Sequence, residues 1–242
     1  MLILLTNDDG FMAEGIKQLF NVCKDMADVS IVAPERERSA TGHGITFHKP
    51  LRANPIIRGE INYGWSVSGT PADCVKLALE MLLPRQPDLV ISGINNGYNL
   101  GAEVLYSGTV SAAIEAAIAD VPAIAVSTEE DATVEDYIFA AQYIRNLVEK
   151  GKVFNLSQNI LLNINIPRVT KGTITETRVT SLGVKRYDNV IEKRTDLRGR
   201  DYFWLGGSLR KTEKGSDIDI TAVEEGAVSI TPLQFDLTNH KL

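Results

Sequence analysis

Apolar runs without alternation recur along the chain, and segments with helical spacing separate them. Residues 1–5, Met-Leu-Ile-Leu-Leu, are wholly apolar, which is typical of a strand buried on both faces of a parallel sheet. Similar strands are predicted at residues 29–33, 88–93, 123–127 and 160–166.

Helices are predicted between these strands from the spacing of their apolar positions. The helix after the first strand carries its apolar face at Ile16, Leu19, Phe20 and Cys23. Thr70 suits the N-cap of a second helix, with Pro71 at its first position and Asp73 completing a capping box. Further helices are predicted at residues 110–119 and 133–149. This alternation predicts an α/β protein with a mostly parallel sheet and helices on both faces, whose ligands bind at the carboxyl ends of the strands.

Other parts of the chain lack this alternation. Residues 35–44 form a polar, glycine-bearing loop, and residues 45–67 contain strand-like pieces interrupted by proline and glycine. The stretch after Thr180 is highly charged and has no helical periodicity, so we expect hairpins that serve as an arm or an interface. A turn followed by a strand is predicted at residues 221–233.

Composition and charge narrow the class of protein. The 242 residues are 44% apolar and 23% charged, with a net charge of −6, so binding to a nucleic-acid duplex or an anionic membrane is not expected. Two cysteines and three histidines are too few for a Cys/His zinc site, and two buried thiols fit a reducing compartment. No segment is as long as a membrane span, and the first apolar run is too short for a signal peptide. We therefore expect a cytoplasmic protein with no membrane partner.

The first strand ends in Thr-Asn-Asp-Asp-Gly, which places Asp8 and Asp9 side by side at the edge of the sheet. Adjacent carboxylates repel each other, and burying them costs free energy unless something compensates. A divalent cation would compensate, because hard ions such as Mg²⁺ and Mn²⁺ prefer oxygen ligands. The alternative is structural: either carboxylate would form an Asx turn or cap the next helix. The pair alone leaves both interpretations open.

Two other polar groups are expected at the same edge. Asn95 and Asn96 follow a predicted strand, and their side chains would offer an oxygen to a cation or an N–H to an anion, unless they only shape a glycine-rich turn. Ser107, Gly108 and Thr109 precede a helix. Free N–H groups and the helix dipole favour a phosphate there, although plain N-capping is the commoner use.

Seven ordered motifs resemble those of the SurE survival-protein family. The match runs from Met1 to about Thr238 without a large gap. It rests on ILLTNDDG, VAPERERSATGHGIT, SGTPADCV, DLVISGINNGYNLG, YSGTVSAAIEA, DLRGRDYFWLGG and GSDIDITAVEEGAVSITPL. The resemblance implies a metal-dependent phosphatase that acts on nucleoside 5′- and 3′-monophosphates.

The resemblance also implies a metal site and an architecture. One divalent cation per subunit, Mg²⁺ or Mn²⁺, would be held by Asp8, Asp9, Ser39 and Asn95. By composition alone, the serine would simply be solvated in its polar loop. The family further implies a Rossmann-like catalytic core over residues 1–180. Residues 181–242 would form a hairpin arm and a terminal strand, exchanged between subunits of a homodimer or homotetramer.

The chemistry expected from these residues is hydrolysis of a phosphate ester. The cation would polarise a phosphoryl oxygen and activate a water, while Asn96 and the N–H groups of residues 107–109 would meet the developing charge. Asp8 and Asp9 are the catalytic candidates, as ligand, base or nucleophile, and the sequence leaves these roles open. Two alternatives remain, a non-catalytic nucleotide- or metal-binding module and an assembly scaffold built through the C-terminal arm.

Overall fold

Strands and helices alternate in the computed structural model as the apolar pattern predicts. The structure describes residues 1–59, 61–155, 159–188, 191–206, 208–212 and 215–238. Its strands are β1 Leu2–Thr6, β2 Asp28–Pro34, β3 Ala53–Arg58, β4 Ile61–Val67, β5 Leu89–Asn96, β6 Ala123–Thr128, β7 Ile160–Ile166, β8 Thr177–Val179, β9 Lys185–Asp188, β10 Ile191–Thr195, β11 Asp201–Leu205, β12 Ser208–Thr212 and β13 Val228–Gln234. Its helices are α1 Glu14–Cys23, α2 Pro71–Leu77, α3 Gly108–Ile118, α4 Val134–Glu149 and α5 Asp219–Glu224.

One large sheet contains nine strands in the order β3-β4-β2-β1-β5-β6-β7-β13-β8. The neighbours from β4 to β7 all pair in parallel. Numbered along the chain, these parallel strands lie in the order 3-2-1-4-5-6, which is the order of Rossmann-type doubly wound sheets. The predicted α/β fold is therefore confirmed. The strand order reverses between β1 and β5, and ligands of such sheets bind at the carboxyl ends beside this reversal.

Helices cover both faces of the sheet. On one face, α1 and α4 pack against apolar side chains of the central strands, with Leu19 and Ile144 fully buried. On the other face, α2 and α3 form a second apolar cluster that includes Val75 and Ala113. Alanine-rich α3 lies close to the sheet because its side chains are small. Among the described residues, no helix is both long and apolar enough to cross a bilayer.

Two elements differ from the sequence predictions. Strand β5 continues to Asn96, with a shift in register between Ser92 and Asn95, where a loop was predicted after residue 93. A helix, α5, precedes β13 where only a turn was predicted. Its branched residues Ile220 and Val223 favour strands intrinsically, but here they are buried against Leu100 in a small apolar cluster. Burial of this face stabilises a helix that local preference does not favour.

The C-terminal part contains the predicted hairpins. Strands β10 and β11 pair antiparallel, as do β9 and β12, and both pairs lie outside the large sheet. Strand β13 returns to the large sheet, antiparallel to β7 and parallel to β8. Residues 189–190, 207, 213–214 and 239–242 of the predicted arm lie outside the described residues. The division at residue 180 and the exchange between subunits stay predictions.

Candidate active site

The turn after β1 is held by Asn7, a residue that no sequence pattern indicates. Its side chain accepts the N–H of Gly10 at 3.2 Å and donates to the Gly10 carbonyl at 2.9 Å. Gly10 has a φ of +101°, a conformation that favours glycine. The N-cap of α1 is Ala13, without a side-chain hydrogen bond. Asn7 therefore forms this turn, and neither aspartate caps α1.

Asp8 is buried and its side chain faces the start of α3. Its Oδ1 accepts a hydrogen bond from the hydroxyl of Thr109. Gly108 lies directly against it, since a Cβ added to this glycine would stand 2.8 Å from the Asp8 Cβ and 2.9 Å from Oδ2. Burial raises the pKa of Asp8, and hydrogen bonds from Thr109 oppose the shift only in part. The site therefore holds a carboxylate whose ionised form is disfavoured.

Asp9 faces the end of β5. Its Oδ2 accepts the main-chain N–H of Asn96 at 3.2 Å. Burial, together with the adjacent charge of Asp8, raises the pKa of Asp9 to about 7. The charge of Glu37 adds to the repulsion at both aspartates. Within the described ranges, neither aspartate forms an ion pair with a Lys, Arg or His side chain.

This donor set fits a divalent cation. Two desolvated carboxylates without a positive partner are stabilised in their ionised form by a bound ion. The Nδ2 of Asn95 donates to the Gly97 carbonyl at 2.7 Å, which leaves its Oδ1 without a partner among the described residues. No group of three His, Cys, Asp or Glu side chains in those residues could hold a metal by itself. The remaining ligands of a cation here must therefore be neutral oxygens.

The loop that carries Ser39 is fastened beside Asp8. The N–H of Arg38 donates to the Asp8 carbonyl at 2.7 Å. Further along the loop, the Nε2 of His43 lies 2.8 Å from a carboxylate oxygen of Glu115. The hydroxyl of Ser39 donates to Glu37 at 2.6 Å. Ser39 is thus next to the site by backbone position, but its hydroxyl must turn away from Glu37 to reach a cation.

The start of α3 combines a capping side chain with N–H groups at the edge of the site, of which that of Thr109 is hydrogen-bonded to Asp8. Ser107 is the N-cap, and its hydroxyl accepts the N–H of Val110 at 3.1 Å. Of the two roles expected for residues 107–109, N-capping is therefore confirmed for Ser107. Gly108 and Thr109 occupy the first two helical positions, whose N–H groups have no partner within a helix. The dipole of α3 therefore favours an anion beside Asp8.

A second group of polar residues behind the site was also missed. Asn163 and Asn165 lie in β7 and are fully buried. Their amides donate to the carbonyl of Asn99 at 2.9 and 3.1 Å, and the Asn99 side chain donates to Ser127 at 2.7 Å. The signal was present as two asparagines at alternate positions of an apolar strand, because buried polar groups need hydrogen-bond partners.

The fold and the site together define a doubly wound α/β protein with an acidic, cation-fitting site at the reversal point of its sheet. The family model described as Survival protein SurE matches residues 3–189. The chain therefore belongs to the SurE family.

Full-length relatives agree with this assignment. A protein of Heliobacterium modesticaldum (strain ATCC 51547 / Ice1) named 5′-nucleotidase SurE is 52% identical over 100% of this chain and 89% of its own length. One of the same name from Thermoanaerobacter sp. (strain X514) is 49% identical over 100% of this chain and 95% of its own. The crystal structure of the SurE protein from Aquifex aeolicus is 37% identical, with a TM-score of 0.83 over 100% of this chain and 96% of that one.

Proposed function

We propose that this chain is a metal-dependent phosphomonoesterase that hydrolyses nucleoside 5′-monophosphates to nucleoside and phosphate. The observation that carries the proposal is the acidic pair at the reversal point, which is desolvated and has no cationic partner among the described residues. Asp8 of this pair faces the start of α3. The full-length relatives named 5′-nucleotidase SurE support the same activity.

One Mg²⁺ or Mn²⁺ would be held by Asp8, Asp9, Ser39 and Asn95. When bound, the cation would polarise a phosphoryl oxygen and lower the pKa of the water that attacks phosphorus. The chain holds the two carboxylates in different directions. The Thr109 hydroxyl fixes Asp8 toward α3, and the Asn96 N–H fixes Asp9 toward β5.

The phosphate would bind beside Asp8, at the start of α3. The N–H groups of Gly108 and Thr109 would donate to its oxygens, with Ser107 holding the turn and the exposed side chain of Asn96 reaching in from β5. These donors are fixed before the reaction, so they stabilise developing charge without reorganisation. The absence of a side chain at Gly108 lets the start of α3 pack directly against Asp8, and this closeness would bring the donors of α3 near a phosphate held by the cation.

Three finer properties belong to the same proposal. We infer activity on nucleoside 3′-monophosphates as well, since the proposed donors would contact only the phosphoryl group. A cytoplasmic location is supported by two buried, unpaired cysteines, Cys23 and Cys74. A homodimer or homotetramer formed through the C-terminal segment is supported by the exposed apolar side chains of the β10–β11 hairpin.

The test is phosphate release from 5′-AMP and 3′-AMP after treatment with EDTA and after readdition of Mg²⁺ or Mn²⁺. We expect no phosphate release without metal and recovery when metal is added back.

The Asp8→Asn variant should lose at least a hundredfold in kcat/KM while its circular dichroism and melting temperature remain close to those of the parent. The matched control is Asp120→Asn, at an exposed turn away from the site. Metal-independent turnover, or near-normal turnover of Asp8→Asn, would remove the proposed metal role, and nucleotide binding without release would indicate a non-catalytic module.

A further inference from the structure

A cavity of about 460 Å³ opens at the carboxyl ends of β5, β6 and β7. Its wall includes Tyr98, Leu100, Glu129, Arg168 and Ile220, from segments that follow those strands and from α5. The volume is in the range of pockets that bind small molecules. Asp8 and Asp9 do not line this cavity. The chemistry of the cavity walls therefore has to indicate which ligand the cavity binds.

The interior of the cavity is apolar and aromatic. Leu100, Ile220 and Val223 form a separate buried cluster, and the half-buried ring of Tyr98 packs against it. The Tyr98 hydroxyl has no hydrogen-bond partner among the described residues, and burial raises its pKa. An aromatic face beside branched apolar side chains suits a flat ring system.

The cations at the rim are already paired. Arg168 Nε lies 3.1 Å from Asp136 Oδ2, and Lys185 Nζ lies 2.9 Å from Glu103 Oε2. The Nζ of Lys171 forms a salt bridge with Glu129. The cavity therefore offers no unpaired positive charge within the described residues, and it suits a neutral ring better than a second phosphate.

The cavity opens at the same end of the sheet as the acidic pair, and the end of β5 connects the two. Asp9 accepts the N–H of Asn96, and Asn96 is in register with Thr128 on β6, one residue before the rim residue Glu129. Neighbouring strands are about 4.8 Å apart, so the rim begins roughly 10 Å from the Asp9 carboxylate. A nucleotide with its phosphate beside Asp8 and its sugar passing Asp9 would thus reach the cavity with its base.

The backbone around Tyr98 is held rigidly. The N–H of Asn99 donates to Asn165 at 2.9 Å, and its carbonyl accepts from Asn163 and Asn165. On the other side of Leu100, the N–H of Gly101 donates to buried Asp219 at 2.7 Å. A platform that is fixed before binding loses little entropy when a ring stacks on it.

We propose that this cavity is the nucleoside subsite and that Tyr98 is the residue on which the base stacks. The inference rests on the proposed function, because it assigns the part of the substrate beyond the phosphate. Base stacking on an aromatic side chain changes affinity by about tenfold to a hundredfold. Tyr98 would therefore select nucleotides over phosphate esters that lack a base.

The experiment compares kcat/KM for 5′-AMP with kcat/KM for ribose 5-phosphate, which carries the same phosphate ester without the base. Tyr98→Ala should lower the value for AMP by about tenfold to a hundredfold, mainly through KM, and leave ribose 5-phosphate within about twofold. Tyr98→Phe should retain AMP turnover. Thr173→Trp, at an exposed position on the cavity wall, should fill the cavity and give the same selective loss without disturbing the core.

Tyr106→Ala serves as the matched comparison, because Tyr106 is an exposed tyrosine just before α3 that does not line the cavity. Equal losses on the two substrates in Tyr98→Ala and Thr173→Trp would overturn the inference, as would a selective loss in Tyr106→Ala alone. If the parent protein hydrolyses neither substrate, the proposed function itself fails. Hydrolysis of both substrates with no selective loss in these variants would overturn only the nucleoside subsite.

Discussion

At the scale of single residues, the turn after β1 is formed by one residue and the candidate catalytic groups are its two neighbours. Asn7 makes the two hydrogen bonds that shape the turn, so Asp8 and Asp9 are free to face two different neighbours. The sequence placed both carboxylates correctly at a sheet edge. It did not reveal this division, because Asn7 and the aspartates are equally able to form an Asx turn, and only the folded backbone decides which one does.

Gly108 provides a test at this scale. A Cβ at this position would stand 2.8 Å from the Asp8 Cβ and 3.1 Å from Pro71 Cγ, so Gly108→Ala should displace the Asp8 side chain. We expect kcat/KM to fall at least tenfold and the Mn²⁺ concentration for half-maximal activity to rise. Alanine is a good helix former, so the melting temperature should change by only a few degrees.

The matched control is Gly206→Ala, where an added Cβ meets nothing within 4 Å. It should keep both the activity and the metal dependence of the parent. Titration of activity with Mn²⁺ checks both variants. An unchanged titration curve for Gly108→Ala would show that the close packing of Gly108 on Asp8 does not matter for the site.

At the scale of elements, helix starts were predicted well where their signals are local. The predicted capping box at Thr70 is present, because it depends on residues three positions apart. A second capping box, at Thr133, was not predicted although it has the same spacing. Helix α5 was missed because its stability comes from burial against Leu100, and its first residue, Asp219, accepts N–H groups of Gly101 and Gly183 from distant segments. The local sequence pattern does not indicate contacts with such distant segments.

At the start of α4, a capping residue has further partners from distant parts of the chain. The buried carboxylate of Asp136 accepts the N–H of Thr133, as in a capping box. It also accepts hydrogen bonds from Arg168 Nε at 3.1 Å and from the Thr170 N–H at 3.0 Å. Burial alone would raise the pKa of Asp136, but hydrogen bonds from Thr170 and Thr133 outweigh it and hold the pKa well below its usual range. Asp136 therefore links α4 to the segment after β7.

Asp136→Asn should lower the free energy of unfolding at pH 7 by roughly 3 kcal/mol, since it leaves Arg168 without its buried partner. A carboxyl whose pKa is depressed in the folded state stabilises the fold at pH values above its unfolded pKa of about 4 and loses this contribution as pH falls further. The difference in unfolding free energy between parent and variant should thus be constant from pH 7 to about pH 5 and shrink below about pH 4. Urea unfolding across this range measures it.

The exposed neighbour Glu135 offers the control, because Glu135→Gln removes a carboxylate from the same helical turn without a buried partner. Its unfolding free energy should stay within about 0.5 kcal/mol of the parent. A difference for Asp136→Asn that does not narrow at low pH would contradict the assignment of the effect to the ionised carboxylate.

At the scale of the whole molecule, the site exists because the strand order reverses between β1 and β5. The sequence predicted that the acidic pair and Asn95 lie at carboxyl ends of parallel strands, and this is confirmed. It did not predict that these two strands are neighbours, because strand order depends on which helices cross to which face. The cavity beside Tyr98 was unpredictable for the same reason, since its walls come from three strand ends and α5.

The β10–β11 hairpin is the part of the molecule whose apolar side chains are left uncovered. Phe203 is 63% exposed, Trp204 60% and Leu205 84%, and the hairpin pairs with no other strand among the described residues. An isolated two-stranded hairpin is marginally stable in water, and exposed apolar patches mark interaction sites. Both facts are explained if a second copy of the chain covers this surface.

Replacement of Phe203 and Trp204 by serine should therefore shift the protein from a dimer or tetramer toward the monomer, as measured by light scattering coupled to size-exclusion chromatography. Arg198→Ser, at the exposed turn of the same hairpin, should leave the mass unchanged, because its side chain adds no apolar area. The acidic pair lies in the large sheet and not in this hairpin, so Asp8→Asn should assemble like the parent. A parent protein that is monomeric at micromolar concentration, or a double variant with the parent's mass, would contradict a role of the hairpin in assembly.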